Sequence, residues 1–273
     1  LDNNATTQVA PEVLETMLPY FSELYGNPSS MHSFGGQVSK TIQHARENVA
    51  SLIGADPEEI IFTSCGTESD NTAIMSALSV APDKSHIITS RVEHPAVKVL
   101  CEHLTQRGYR VTELPVDRDG RLDMELFENS LSRDTAVVSL MWANNETGVI
   151  FPVERAAQLA HERGILFHTD AVQAVGKIPI NMRANNIDML SFSGHKLHAP
   201  KGIGVLYIRK GTRFLPFMLG GHQEKGRRGG TENTASIAGL GKACQLAARN
   251  VETENTRVKY LRDKLEDELL KSI

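Results

Sequence analysis

Along most of this chain, short apolar runs rich in β-branched residues alternate with stretches of helical period, and that alternation constrains the fold more than any other feature. It is the pattern of an α/β protein with a mainly parallel sheet between helices. Six runs read as short buried strands: Ile60-Ile61-Phe62-Thr63, His86-Ile87-Ile88-Thr89, Ala136-Val137-Val138-Ser139-Leu140, Ile165-Leu166-Phe167-His168, Met189-Leu190-Ser191-Phe192 and Val205-Leu206-Tyr207-Ile208. The clearest helix, Glu154 to Arg163, carries Ala156, Leu159 and Ala160 on one face. It stops at Gly164, a residue that accepts the left-handed conformation of a helix end. From about Ala235 onward the helical period persists among many charged residues, and it reads as a long helix leading into a second, smaller domain.

A chain of 273 residues can bury a sizeable core, and one large domain plus an appendage is the expected organisation. A net charge of -4 argues against a nucleic-acid partner. Cys65, Cys101 and Cys244 are too scattered for a disulfide framework, and no CxxC pair suggests a structural zinc, which fits a reducing, cytoplasmic setting. No apolar run approaches the roughly 20 residues that span a bilayer, and no signal-peptide pattern opens the sequence. The chain starts at Leu1-Asp2-Asn3 without an initiator Met and stops within a helical pattern, so the expectation is part of a longer protein.

In an open parallel sheet, ligands bind beyond the carboxyl ends of the strands, so the polar residues that follow each strand are the candidates. Ser64-Cys65-Gly66-Thr67-Glu68 reads as a turn opening a helix, where free N–H groups and the helix dipole favour a phosphate. The structural alternative is an ordinary helix start with Thr67 as cap. No nucleotide P-loop, GxxxxGK[ST], occurs in the chain.

Lys196, in Ser193-Gly194-His195-Lys196, follows a strand that is apolar on both faces. Burial there would lower its pKa and free the amine for attack on an aldehyde; the alternative is a solvated loop lysine. Asp170 could keep a pyridinium nitrogen protonated or could cap a helix. Gln173 could hydrogen-bond a ring hydroxyl or sit on a helix surface. His94, ahead of Pro95, could stack on a ring and move protons or be a satisfied structural histidine. His195 and His198 have no recognised zinc spacing, so no metal is expected.

In order along the chain stand Asp2-Asn3-Asn4-Ala5-Thr6-Thr7, Gly26-Asn27-Pro28-Ser29-Ser30-Met31-His32, Thr63-Ser64-Cys65-Gly66-Thr67-Glu68-Ser69 and Glu93-His94-Pro95. They continue with Trp142-Ala143-Asn144-Asn145-Glu146-Thr147-Gly148, Ser193-Gly194-His195-Lys196, and Gly220-Gly221-His222-Gln223-Glu224 through Gly230-Thr231-Glu232-Asn233. This set resembles the cysteine desulfurases of pyridoxal-phosphate (PLP) fold type I, within the class V aminotransferase superfamily, and especially the branch serving nitrogenase. The resemblance implies a seven-stranded-type, mainly parallel sheet, a large PLP-binding domain at 13–246, and a small α+β domain of which 1–12 and 247–273 are parts.

By the same resemblance Lys196 carries pyridoxal 5'-phosphate as a Schiff base, His94 stacks on the ring, Asp170 pairs with the ring nitrogen and Gln173 meets the ring oxygen. Gly66, Thr67, Ser193 and His195 hold the phosphate, and Asn145 lies near the bound amino acid. Thr231 reaches the phosphate of the other subunit of a homodimer. The implied activity is desulfuration of L-cysteine to L-alanine with an enzyme-bound persulfide, handed to an iron–sulfur scaffold protein. The resemblance also implies that the persulfide cysteine and the carboxylate-binding arginine lie beyond Ile273; Cys65 sits in the phosphate turn, and Cys101 and Cys244 read as packing thiols. A selenocysteine lyase, an aminotransferase and a non-catalytic PLP-binding scaffold are the alternatives.

Overall fold

The computed structural model describes residues 2–272; Leu1 and Ile273, which end the segments assigned to the small domain, lie outside the described residues. The chain begins with α1 (Pro11–Met17), α2 (Pro19–Ser22) and α3 (Ser33–Ile53). It then alternates as β1 (Ile60–Thr63), α4 (Gly66–Val80), β2 (His86–Ser90), α5 (Pro95–Gln106), β3 (Arg110–Leu114), α6 (Met124–Ser130), β4 (Thr135–Met141), α7 (Val153–His161) and β5 (Leu166–Asp170). β6 (Met189–Ser193), β7 (Gly204–Ile208), α8 (Thr234–Thr253), a π-helical turn (Glu254–Val258) and α9 (Lys259–Leu270) complete it.

All seven strands form one sheet in the order β1-β7-β6-β5-β4-β2-β3. β7 runs antiparallel to both β1 and β6, and every other pairing is parallel. The reversal follows from the short 194–203 connection between β6 and β7, since a parallel return needs a crossover of a dozen residues or more. Six of the seven strands stand where the apolar runs put them. β3 was not foreseen: it is an edge strand that pairs only with β2, and its Arg110, Thr112 and Glu113 break the apolar signal.

Burial on both faces explains the continuous apolar runs. Ile60 and Phe62 of β1, Leu190 and Phe192 of β6, and Val205 and Tyr207 of β7 pack with α1, α3, α7 and α8. The residues between them, Ile61, Met189, Leu206 and Ile208, pack with α4 and α5 on the other face. At roughly 25 cal/mol per Å² of apolar surface, these two layers are the main source of stability. α8 buries Ile237, Leu240, Ala243 and Cys244 in the first layer, whereas α9 buries no residue.

The helix ends are chemically specified. α5 starts with Pro95 at its first position, as expected, and α7 stops just before Gly164, whose φ is 64°. α4 begins at Gly66 and its cap is Cys65, whose Sγ accepts from Glu68 N, so the alternative of Thr67 as cap does not hold. Gly204 of β7 is pressed against this turn: a Cβ there would lie 2.5 Å from the Cys65 carbonyl carbon.

Candidate active site

Because β7 alone is reversed, the carboxyl ends of the other six strands share one edge of the sheet. The segments that follow β1, β2, β4, β5 and β6 meet there around a cavity of about 410 Å³, a size that suits a small-molecule ligand. Gly66, Thr67 and His94 line it from the side of α4 and α5. Asn145, Asp170, Gln173, Ser193, His195 and Lys196 line it from the centre of the sheet. Nine of the ten candidate residues are thereby brought together. Thr231 is not: it lies exposed in the 220–233 loop, beside a separate cavity bordered by Phe62, Ser64 and Arg228.

Lys196 closes the turn Gly194–Lys196 directly after β6. It is only partly exposed, and burial pulls its pKa below the ordinary lysine value, with Asp2 and Asp170 acting in the opposite sense. Its Nζ donates to the carbonyls of Asn4 and Ala5, so the amine is held at the wall formed by the amino-terminal segment. That segment is itself fastened to the lysine loop. Thr7 Oγ1 donates to His195 O at 2.9 Å and accepts from His198 N at 2.8 Å, while Thr6 Oγ1 meets His195 Nδ1 at 3.1 Å.

Asp170 ends β5 and is 5% exposed. Its Oδ1 accepts from Val172 N at 2.9 Å in a turn, not at a helix start, which replaces the capping alternative. Burial raises its pKa; the Val172 N–H, His94 and Lys196 lower it. Beneath it lies Asp70 of α4, 1% exposed, with Oδ1 lacking a hydrogen-bond partner and its pKa raised well above the usual range by burial and by Asp170. Glu93 is also buried, and its pKa is pushed up to about 8. The adjacent His168 is held neutral by burial, its pKa pushed down to about 3, and it is hydrogen-bonded to Ser139 and Ser191 at 2.9 Å each. Burial and mutual repulsion hold all three acids above the ordinary carboxylate range, and of the three only Asp170 has cationic groups, Lys196 and His94, acting to ionise it.

His94 is the N-cap of α5, and its Nδ1 accepts from Ala96 N at 3.1 Å. An accepting Nδ1 leaves the ring proton on Nε2. The structural role proposed for this histidine is real, and it coexists with a place in the cavity wall. Gln173 is half-buried in a series of turns at 171–178, not on a helix surface. At the head of α4, the Gly66 and Thr67 N–H groups have no acceptor among the described residues. A Cβ on Gly66 would come within 3.0 Å of Val172 Cγ2, so the turn packs closely against the strand ends beside it.

The arrangement fits PLP. Free N–H groups at the start of a four-turn helix suit a phosphate, and the buried Asp170 carboxyl forms no ion pair among the described residues, a partner that a pyridinium nitrogen would supply. A depressed lysine amine lies in the same cavity. No cluster of three or more metal-ligating side chains occurs among the described residues. Cys101 and Cys244 are buried, as expected of packing thiols. Sequence reasoning missed Asp70, Lys177 and the Asn4–Ala5 carbonyls as parts of this site: Asp70 lies within α4, Lys177 lies deep in the turns after β5, and Asn4 and Ala5 precede the first helix.

Comparison with known proteins agrees with this geometry. The class-V aminotransferase family matches residues 1–273. The chain is 60% identical over 271 residues to Cysteine desulfurase NifS of Azotobacter vinelandii, covering 99% of this chain and 67% of that protein. It is 58% identical over 273 residues to a cysteine desulfurase of Trichormus azollae, covering all of this chain and 68% of that one. Among solved structures, a NifS-like protein superposes with a TM-score of 0.95 at 41% identity, covering 98% of this chain and 74% of the other. The structure of SspA in complex with cysteine superposes with a TM-score of 0.86, also at 41% identity, covering 89% and 71% of the two chains. The lysine loop, the buried aspartate and the phosphate-ready helix start thus stand in a chain that belongs to the cysteine desulfurases of the class-V aminotransferase family.

Proposed function

We propose that the cavity at the carboxyl edge of the sheet binds pyridoxal 5'-phosphate and removes sulfur from L-cysteine to give L-alanine. The observation that carries this reading is the meeting of Lys196 and Asp170 in one cavity, at the ends of the neighbouring strands β5 and β6. Lys196 is the residue that holds the cofactor, Asp170 pairs with its ring nitrogen and Gln173 with its ring oxygen. His94 covers one face of the ring. Gly66, Thr67, Ser193 and His195 hold the phosphate, and Asn145 lies beside the amino acid. When bound, PLP supplies an electron sink for charge that develops at the α-carbon of the substrate.

The chain's own groups supply binding and proton movement. Lys196, with its lowered pKa, takes the proton from the α-carbon and returns it. Asp170, whose ionisation Lys196 and His94 favour, would keep the ring nitrogen charged. His94 donates from Nε2, its Nδ1 being engaged by Ala96. None of the three cysteines is assigned the sulfur-carrying role. Cys65 Sγ caps α4, burial pushes the Cys101 thiol up to about 12, and Cys244 is raised in the same way.

The family resemblance of the motifs also supports a large domain at 13–246, with 1–12 and 247–273 belonging to a smaller one. It supports a homodimer in which Thr231 serves the partner's phosphate, an iron–sulfur scaffold protein as sulfur acceptor, a cytoplasmic location and a role in nitrogen fixation. No helix among the described residues is long and apolar enough to cross a membrane.

The test is release of alanine and sulfide from L-cysteine by the full-length, PLP-loaded protein with reductant, beside a Lys196→Ala control. Release that vanishes in the control is the expected result. An intact, loaded protein that releases neither product would overturn the reading; pyridoxamine phosphate accumulating instead would indicate transamination.

A further inference from the structure

Lys177 belongs to no motif above, yet it touches the site. The turns at 171–178 are closed by Ala174 N and Val175 N on Ala171 O and by Lys177 N and Ile178 N on Ala174 O. This winding puts residues four apart on the same side. Gly176, with φ of 75°, lets the turn pass between two neighbours, since a Cβ there would lie 2.5 Å from Leu197 and 3.2 Å from Ala247 of α8. Lys177 is therefore directed back at Gln173, and its Nζ donates to Gln173 Oε1 at 2.6 Å. On the other side, Gln173 Nε2 donates to the carbonyl of Asn4 at 2.9 Å.

These two contacts decide how the carboxamide is oriented. An ammonium only donates and a main-chain carbonyl only accepts. Reversing the amide would set NH2 against the ammonium and C=O against the Asn4 carbonyl, so neither bond would survive. In the orientation observed, Oε1 is taken by Lys177 and one hydrogen of Nε2 by Asn4. The second Nε2 hydrogen has no partner among the described residues, on a side chain that lines the cavity. Gln173 therefore turns a free donor hydrogen to the cavity, while one of the two lone pairs of Oε1 is already taken by the Lys177 ammonium.

We propose that Lys177 is a positioning residue that locks the Gln173 carboxamide as a hydrogen-bond donor toward the ring oxygen of the cofactor. The inference rests on the reading of Gln173 given under the proposed function. Burial pulls Lys177 down to about 8, with Lys196 lowering it further and Glu254 of the π-helical turn raising it, so the cation persists at neutral pH. The same π-helical turn anchors its backbone, as Asn255 Nδ2 donates to Lys177 O at 2.7 Å.

The test is spectroscopic and uses the full-length holoenzyme. A donor on the ring oxygen stabilises its negative charge, so losing it makes the cofactor hold its proton to higher pH. Lys177→Met and Gln173→Ala are each expected to raise the pH midpoint of the visible absorption band by about one unit, a tenfold change in proton affinity. The double variant is expected to move it no further than Gln173→Ala alone, because Lys177 acts through Gln173. Lys177→Gln, whose own amide no longer orders its neighbour, is expected to shift the midpoint in the same direction and carries the test if the Met variant does not fold. Additive shifts, or a Lys177 variant that leaves the midpoint unchanged while Gln173→Ala moves it, would overturn the proposal. If neither residue moves the midpoint, the reading of Gln173 falls, and this inference with it.

Discussion

Lys196 Nζ donates to the carbonyl of Ala5 at 2.8 Å, a bond spanning 191 positions of sequence that ties the candidate cofactor lysine to the amino-terminal segment. The same segment accepts from Gln173 through Asn4. Asp2, Asn4 and Ala5 thus form a wall of the site, and the attachment of this segment to the lysine loop has functional consequences.

Thr7 carries much of that attachment through its bonds to His195 O and His198 N. Thr7→Val keeps the shape and removes both. Two part-buried hydrogen bonds are worth roughly 1–3 kcal/mol, so the variant is expected to unfold at lower urea and to lose PLP faster on dialysis. A stability loss with unchanged PLP retention would separate the wall from the cofactor.

Asp170→Asn tests the buried charge from two directions. On the proposed pairing of Asp170 with the ring nitrogen, the variant removes a buried ion pair, a loss of about 3–5 kcal/mol, so turnover of the holoenzyme is expected to fall by at least roughly 100-fold. In the apoprotein, where burial raises the Asp170 pKa, the neutral amide is expected to raise the unfolding temperature at pH 8. Calorimetry of apo and loaded forms reads both signs.

Glu93 supplies a pH dependence. Its folded pKa of about 8 lies above the ordinary value of 4.5, so its contribution to stability is fully present below pH 4.5 and is lost as pH rises to about 8. The displacement corresponds to on the order of 5 kcal/mol at most. Glu93→Gln can still accept from Ser90 Oγ and Met141 N, which Glu93 Oε1 does at 2.6 and 3.0 Å. The variant is expected to match the parent near pH 4.5 and to be more stable at pH 8, as measured by urea unfolding across that range.

Glu224 has a φ of 49° and is buried in the loop that carries Thr231, where both its carboxylate oxygens lie 2.8 Å from Arg46, whose guanidinium also stacks over Phe62 at 4.7 Å. Arg46→Met leaves a buried carboxylate unpaired and is expected to cost about 3–5 kcal/mol. Adding Glu224→Gln removes the stranded charge and is expected to recover part of that loss. A double-mutant cycle on thermal unfolding checks the coupling.

Much of the fold was legible because its information is local. Strands buried on both faces appear as unbroken apolar runs, and Gly164 and Pro95 punctuate helices wherever they occur. The edge strand β3 escaped because half of it faces water, so its pattern does not differ from that of a loop. The candidate site was legible for a related reason: a sheet whose strands mostly run one way gathers the residues after each strand at one edge, so Thr67, His94, Asp170 and Lys196 converge on one cavity. By itself, then, the sequence determined the layered α/β architecture, the rim of polar residues and the family.

The tertiary structure alone decided how those residues are poised. Asp70 enters the floor of the site from the body of α4, Asn4 and Ala5 reach the lysine from far along the chain, and Lys177 sets the Gln173 amide from a turn that no periodicity marks. Burial, the pairing of buried charges and the orientation of an amide depend on what lies across space within a few ångströms, and that is fixed only once the distant segments have packed.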